Sequence, residues 1–280
     1  MASEVVQVAK AIIPLGQRPR ISPKAIKADL YAHWPDIGHL GLATKPSKKA
    51  LVFELGQRAQ AVLTIVKACI PWPELKGSYE SNILWQDAFA DLKHHKAFLV
   101  ASVKDLSPLS PLERSMLLTQ LTAAVLNTCP AALGVLWCNA SLLIPPALFC
   151  EYAVKILPLG PPIPIWVDIR ISPNDRGRMS GFTTGLDALG HMEIETENSP
   201  ETAAELRTRF EGLVAYLLKN GPVICDGDTI GEGANEKIKV VYSSSSFGKT
   251  STVMRIDFDS VGTDDAFEID RREPSGSSNV

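Results

Sequence analysis

The sequence predicts an α+β fold: two ferredoxin-like βαββαβ halves, mainly antiparallel sheet with helices packed on it. Three observations lead there. The 280 residues combine 45% hydrophobic with 21% charged side chains, the balance of a chain that folds around a core rather than staying disordered. Between Val5 and Val103 the patterning runs strand, helix, strand, strand, helix, strand. From Ala131 the same order begins again. The expected divisions are residues 1–106, a connecting helix within 107–130, a second half at 131–258, and a disordered acidic tail at 259–280.

Each element has a local reason. Val5 to Leu15 is rich in Val and Ile and reads as a strand. Ser22-Pro23 supplies an N-cap with proline at the first helical position, and Ile26, Leu30 and Tyr31 then share one face of a short helix. Ala50 to Leu55 and Gln60 to Val66 are strand-like and separated by Gly56-Gln57-Arg58, as in a hairpin. Two prolines flank Trp72 and bar a regular strand there. Leu84, Ala88 and Leu92 carry helical spacing up to His94, and Ala97 to Val103 is a buried strand.

The second half is read in the same way. Ser110 and Glu113 have capping-box spacing at the head of a long helix to about Asn127. Ala131 to Cys138 reads as a buried strand, Pro145-Pro146 as the start of a helix to about Ile156, and Pro158 to Pro164 as a connector. Ile165 to Ile171 and His191 to Thr196 alternate like strands. A strong helix starts in Ser199 to Thr202, with Leu206, Phe210, Leu213, Val214 and Leu217 as its apolar stripe, and Gly221-Pro222 ends it. Lys237 to Tyr242 and Thr252 to Phe258 are the last strands.

The counts exclude several functions. The uninterrupted apolar run Ala131 to Cys138 has eight residues, against about 20 for a membrane span. The N-terminal MASEVVQVAK lacks a signal-peptide pattern, so a cytoplasmic location is expected. A net charge of −3 gives no general case for nucleic acid. That charge conceals an asymmetry, because residues 1–50 carry eight basic side chains against Glu4, Asp29 and Asp36, a net +5, and the other 230 carry −8. The five cysteines and five histidines show no clustered zinc spacing, and Cys138 and Cys150 lie in apolar runs as reduced thiols. No cofactor and no metal are expected.

The polar clusters each admit two readings. Glu193 and Glu195 point to one face of a strand, near Thr183 and Thr184. They could bind a divalent cation or share a proton, or they could face water while Met192 and Ile194 face the core. Asp226-Gly227-Asp228 starts like a calcium loop, but the twelfth position is Lys237, where a bidentate Glu is needed, so a tight capped turn is expected. Ser243 to Thr250 ends like a phosphate loop but has Ser243 where a Walker loop has glycine, and it reads as a loop between strands. His94-His95 reads as a helix C-cap rather than a metal pair. Trp72 is either a rigid exposed anchor or a ring packed on a sheet edge.

Several phrases taken together resemble the bacterial domain-of-unknown-function family numbered 4261. They are Ile70-Pro-Trp-Pro-Glu-Leu75, Trp85, His94 to Val100, Gly134-Val-Leu-Trp137, Phe182 to Leu186 with Gly190 to Glu195, and Asp226 to Gly231. The resemblance spans roughly residues 50 to 255 and confers no activity. By analogy with small bacterial α+β proteins, it implies an immunity-type role.

The expected function is therefore a non-enzymatic protein-binding module whose partner is a protein such as a cognate secreted toxin. The candidate partner or ligand surface is Trp72, Thr183, Thr184, Glu193, Glu195, Asp226 and Asp228. The alternative is a metal-dependent or acid/base enzyme using the carboxylates of the 183–195 and 226–228 segments. A third reading is a structural module with a dimerisation edge.

Overall fold

The computed structural model describes residues 9–43, 50–80, 82–231 and 236–259, apart from the side chains of Trp72 and Glu74. The expected strand residues Val5 to Val8, the basic residues Lys45, Lys48 and Lys49, and the acidic tail beyond Asp259 lie outside the described residues.

The chain opens with strand β1 (Lys10–Leu15), whose Ala11, Ile13 and Leu15 are fully buried. Helix α1 (Pro23–His33) starts where the Ser22 side chain accepts the Ala25 N–H, and it buries Ile26 and Leu30 against helix α4 (Pro111–Thr128). Between them come strands β2 (Leu40–Leu42), β3 (Ala50–Leu55) and β4 (Ala59–Val66), helices α2 (Trp72–Glu80) and α3 (Ala88–Leu92), and strand β5 (Ala97–Asp105). Gly56, at φ +58°, turns β3 into β4 as the hairpin reading expects.

After α4 follow β6 (Val135–Trp137), β7 (Leu142–Ile144), α5 (Pro146–Glu151), which widens into a π turn over Tyr152–Ile156, and the short α6 (Ile163–Trp166). The last part holds β8 (Asp168–Pro173), β9 (Met179–Thr184), β10 (Ile194–Ser199), α7 (Ala203–Asn220), β11 (Thr229–Ile230), β12 (Ile238–Ser244) and β13 (Thr252–Asp257).

The α+β class holds, but the strands do not assemble as ferredoxin-like halves. A ferredoxin-like half seats its first strand between its third and fourth, whereas here β4 pairs with β5 directly and β1 lies between β5 and β6. The first sheet, ordered β2-β3-β4-β5-β1-β6-β7, contains only antiparallel pairs. Residues 135–144, read from sequence as the opening of a second half, instead complete this sheet, with Leu136 and Trp137 pairing with Ile12 and Ala11. Residues Val135 to Trp137 are all buried, so this short strand needs cover on both faces. The second sheet is ordered β11-β12-β13-β10-β9-β8, and its one parallel pair, β10 with β13, is bridged by α7.

Local element readings are refined as well. Strand β9 was not anticipated, because its MSGFTT sequence has no apolar alternation to mark it. The stretch from Ile165 begins as helix because Pro162 and Pro164 preset a turn, so β8 starts only at Asp168. Helix α7 is capped by Thr202, whose hydroxyl and backbone exchange hydrogen bonds with Glu205 in a full capping box; Ser110 and Glu113 do the same for α4.

One continuous apolar core runs through both sheets. Its joint is helix α4, which has nine buried residues and meets the second sheet's side of the molecule through Thr119. The Thr119 hydroxyl accepts the Trp166 indole N–H at 2.8 Å and donates to Ser115 O at 2.8 Å. Trp166 stacks on Trp137 at 6.5 Å, and Trp137 lies 6.0 Å from Phe149. Both tryptophans are core, as their apolar settings predict.

Candidate functional site

The second sheet has two unlike faces. Helix α7 packs on one of them, burying Leu206, Phe210, Val214 and Leu217, and Gly181 of β9 leaves room for Leu206. The other face is polar. Register places Asp168 opposite Thr184, and it aligns Arg170, Phe182, Glu195 and Arg255 across four neighbouring strands. Directly opposed side chains share a face, so this row is continuous.

The loop between β12 and β13 roofs that row. Phe247 stacks on Phe182 at 4.9 Å, Lys249 Nζ donates to Thr184 Oγ1 at 2.9 Å, and the Ser245 hydroxyl donates to Glu195. The Ser246 N–H also donates to Glu195, at 2.9 Å. The Ser245 hydroxyl oxygen in turn accepts the Phe247 and Lys249 N–H groups at 3.0 and 3.1 Å. Three loop amides that resemble a phosphate cradle in sequence are therefore turned inward. The loop joins two antiparallel strands, as expected, and a helix does not follow it.

Glu193 is a second internal clamp. It is 1% exposed, and its carboxylate accepts the Thr183 hydroxyl and the Gly185 N–H, both at 2.7 Å. Thr183 Oγ1 also accepts the Ile194 N–H at 2.8 Å, so one hydroxyl joins the two strands. Gly185 is required, since its φ is +113° and a Cβ there would sit 2.5 Å from Trp166 O. Burial pushes the Glu193 carboxyl above its ordinary range, against the pull of Thr183, Gly185 and Lys249. Asp168, 5% exposed, is pushed up by burial and held back chiefly by its 2.6 Å ion pair with Arg170.

The sequence-derived surface is thus largely interior. Glu193 and Glu195 do not face water; both are buried, Glu193 accepting the Gly185 N–H and Glu195 the Ser246 N–H. Thr183 is buried and Thr184 half-buried beneath Lys249. Asp226 and Asp228 are exposed and cap a turn, as expected. Asp226 accepts the Tyr242 N–H and Asp228 the Cys225 N–H, each at 2.7 Å, around Gly227 at φ +86°. Trp72 opens α2, and its side chain lies outside the described residues.

The four carboxylates of the enzymatic reading serve separate backbone donors, and no group of three His, Cys, Asp or Glu able to hold a metal occurs among the described residues. His95 closes the C-terminus of α3, as expected, from a buried position. It is 2% exposed, its Nδ1 bonds Leu92 O, and its Nε2 accepts the Ile70 N–H at 2.6 Å. Burial pushes the Cys138 and Cys150 thiols up to about 11, so they are inert at neutral pH.

One concave surface carries no mark in the sequence motifs. A groove of about 720 Å³ runs between α7 and β11, lined by Leu213, Tyr216, Val223 and Ile230, with Tyr216 and Val223 roughly half exposed. A second hollow of about 530 Å³ continues it along Ala204 and Thr208 to Pro200. Arg209 lines both and is tied to Glu201 and Glu236, with Phe258 under its guanidinium. The remaining charges on the lining, Glu205 and Asp228, are acidic. The signal in the sequence was the small-residue spacing Ala204, Thr208, Gly212 on the outer face of α7.

Comparison with known proteins adds one match. Residues 182–257 match the model of a family described as a domain of unknown function (DUF4261). The matched segment runs from Phe182 in β9 to the end of β13, and it includes both internal clamps, the roofing loop and the α7 groove. It is shorter than the stretch over which the sequence phrases resemble that family. Neither the curated proteins nor the solved structures give a match. No helix among the described residues is long and apolar enough to cross a membrane.

Proposed function

We propose that this protein is a non-enzymatic protein-binding module of the bacterial cytoplasm, and that it neutralises a toxin in the manner of an immunity protein. The observation that carries the binding reading is the α7–β11 groove, which offers half-exposed Tyr216 and Val223 within an acidic rim. Aromatic side chains at the centre of a concave patch are typical energetic anchors of protein interfaces. The rim, with Glu205 and Asp228, suits a partner segment that carries apolar residues flanked by basic ones. The toxin assignment is supported by analogy with small bacterial α+β immunity proteins and by the net −8 carried outside the first 50 residues.

The test is co-expression with the product of the adjacent toxin gene, followed by size-exclusion chromatography and a growth-rescue assay. A co-eluting complex and rescued growth are expected, and both should be lost with Tyr216→Ala combined with Val223→Ser. Absence of both the complex and the rescue for the unaltered protein contradicts the proposal.

A further inference from the structure

A local excess of positive charge lies at one end of the first sheet, apart from the α7 groove. Register sets three strand ends side by side there, with Leu15 of β1 opposite Ala97 of β5 and Val66 of β4 opposite Phe98. The Lys96 N–H donates to Leu15 O at 2.8 Å, and the Gly16 N–H donates to Ala131 O at 2.9 Å, which brings in the chain leading to β6. The His95 ring accepts the Ile70 N–H and so ties the stretch after β4 to the stretch before β5. Residues 16–20, 67–71, 93–96 and 129–132 therefore meet at this end. They hold Arg18, Arg20, Lys67, Lys93 and Lys96, and no Asp or Glu.

All five cations are exposed, and none forms an ion pair among the described residues. His94 is exposed beside them. The acid nearest in sequence, Asp91, accepts the Trp85 indole N–H at 2.8 Å. Neighbouring strands lie about 5 Å apart, so Lys67 and Lys96 stand on adjacent strand ends fixed by the sheet. Like charges gathered without counter-charges repel one another, and an external anion relieves that repulsion.

We propose that this end of the first sheet binds the phosphate backbone of double-stranded DNA without reading its sequence. Apolar chemistry decides among the polyanions that would suit such a surface. A protein partner needs an apolar or aromatic anchor at the interface centre, and an anionic membrane needs an apolar face to enter it. The large hydrophobic side chains exposed among the described residues all lie outside these four segments. Phosphate contacts, by contrast, run on cations alone. Single strands are held by aromatic side chains on which bases stack, and the four segments contain no Phe, Tyr or Trp. A duplex offers the denser charge, one per about 1.7 Å of axis. With no carboxylate here to accept a 2′-hydroxyl, nothing selects RNA.

Fluorescence anisotropy of a labelled DNA duplex of about 20 base pairs, titrated with the full chain over a series of salt concentrations, tests this. Saturable binding at low salt is expected, unchanged when the duplex sequence is scrambled. The logarithm of the affinity should fall with the logarithm of salt at a slope of about −4.5, or 0.9 for each of five phosphates. Lys67→Glu, Lys93→Glu and Lys96→Glu combined should weaken binding by about tenfold or more and flatten that slope by about 3. Lys104→Glu, Lys219→Glu and Lys239→Glu combined make the same change in net charge on exposed lysines elsewhere. They should leave the affinity within about twofold. All six lysines are exposed, and circular dichroism checks that both variants fold. The proposal is overturned if the duplex does not saturate, or if the second variant loses as much as the first. It is also overturned if polyglutamate, phosphatidylglycerol vesicles, single-stranded DNA or an RNA duplex binds more tightly than the DNA duplex.

Discussion

The Glu195 carboxylate accepts hydrogen bonds from the Ser245 hydroxyl and the Ser246 N–H, fifty residues away, and so takes the place an external anion would have in that serine-rich loop. The sheet supplies its own anion. This relationship explains why a tract resembling a phosphate loop is closed, and why a glutamate with no ion-pair partner among the described residues is fully buried. Replacing Glu195 with Ala leaves those donors unsatisfied, at a cost of about 1–3 kcal/mol. Urea unfolding should show that loss, and amide exchange at Ser246, Phe247 and Lys249 should speed up relative to the β12 and β13 interiors.

Glu193 sets a pH dependence. Its folded-state pKa lies above the ordinary value of 4.5 because of burial, so the native state keeps this proton to higher pH than the unfolded chain does. Its contribution to stability is complete below about pH 4.5 and is lost as pH rises toward the native value. Glu193→Gln should remove this component. The amide oxygen can accept the Gly185 N–H, and its NH2 can donate to the second lone pair of Thr183 Oγ1. Unfolding curves between pH 4 and 8 should therefore fall less steeply with pH for the variant.

Two glycines should differ in cost. A Cβ at Gly134 would lie 2.4 Å from the Trp85 ring, whose Nε1 is held by Asp91, whereas one at Gly185 would lie 2.5 Å from the Trp166 backbone oxygen at φ +113°. A ring can swing aside, but the buried backbone at the end of α6 cannot. Gly134→Ala should cost about 1–3 kcal/mol and perturb tryptophan fluorescence. Gly185→Ala should cost more, since it adds left-handed strain.

The thiols should divide by environment. Cys69 and Cys225 are exposed, while burial pushes the Cys138 and Cys150 thiols up to about 11. Alkylation with iodoacetamide at pH 8, followed by mass spectrometry, should label the first pair and leave the second pair unmodified in the native protein.

Local chemistry was legible in the sequence wherever it was self-contained. The Ser110–Glu113 capping box, the Gly56 hairpin and the Asp226–Asp228 turn each depend on residues a few positions apart. Strand order was not legible, because whether Val135 to Trp137 extends one sheet or opens another depends on β1, more than a hundred residues earlier. The site was half legible. The period of two put Glu193 and Glu195 on one face, but the donors that bury them, Ser245, Ser246 and Gly185, approach from turns whose path the alternation does not encode. The α7 groove was hidden for a similar reason. Tyr216 reads as an ordinary exposed position until β11 and Val223 are placed beside it.

The central claim is that the acidic cluster of the second sheet is structural and that partner binding belongs to the α7 groove. Hydrogen exchange measured by mass spectrometry on the complex with the adjacent gene's product tests this most directly. New protection is expected in residues 208–231, with segments 182–195 and 245–249 unchanged. Protection confined to those two segments, with none along α7 and β11, would contradict it.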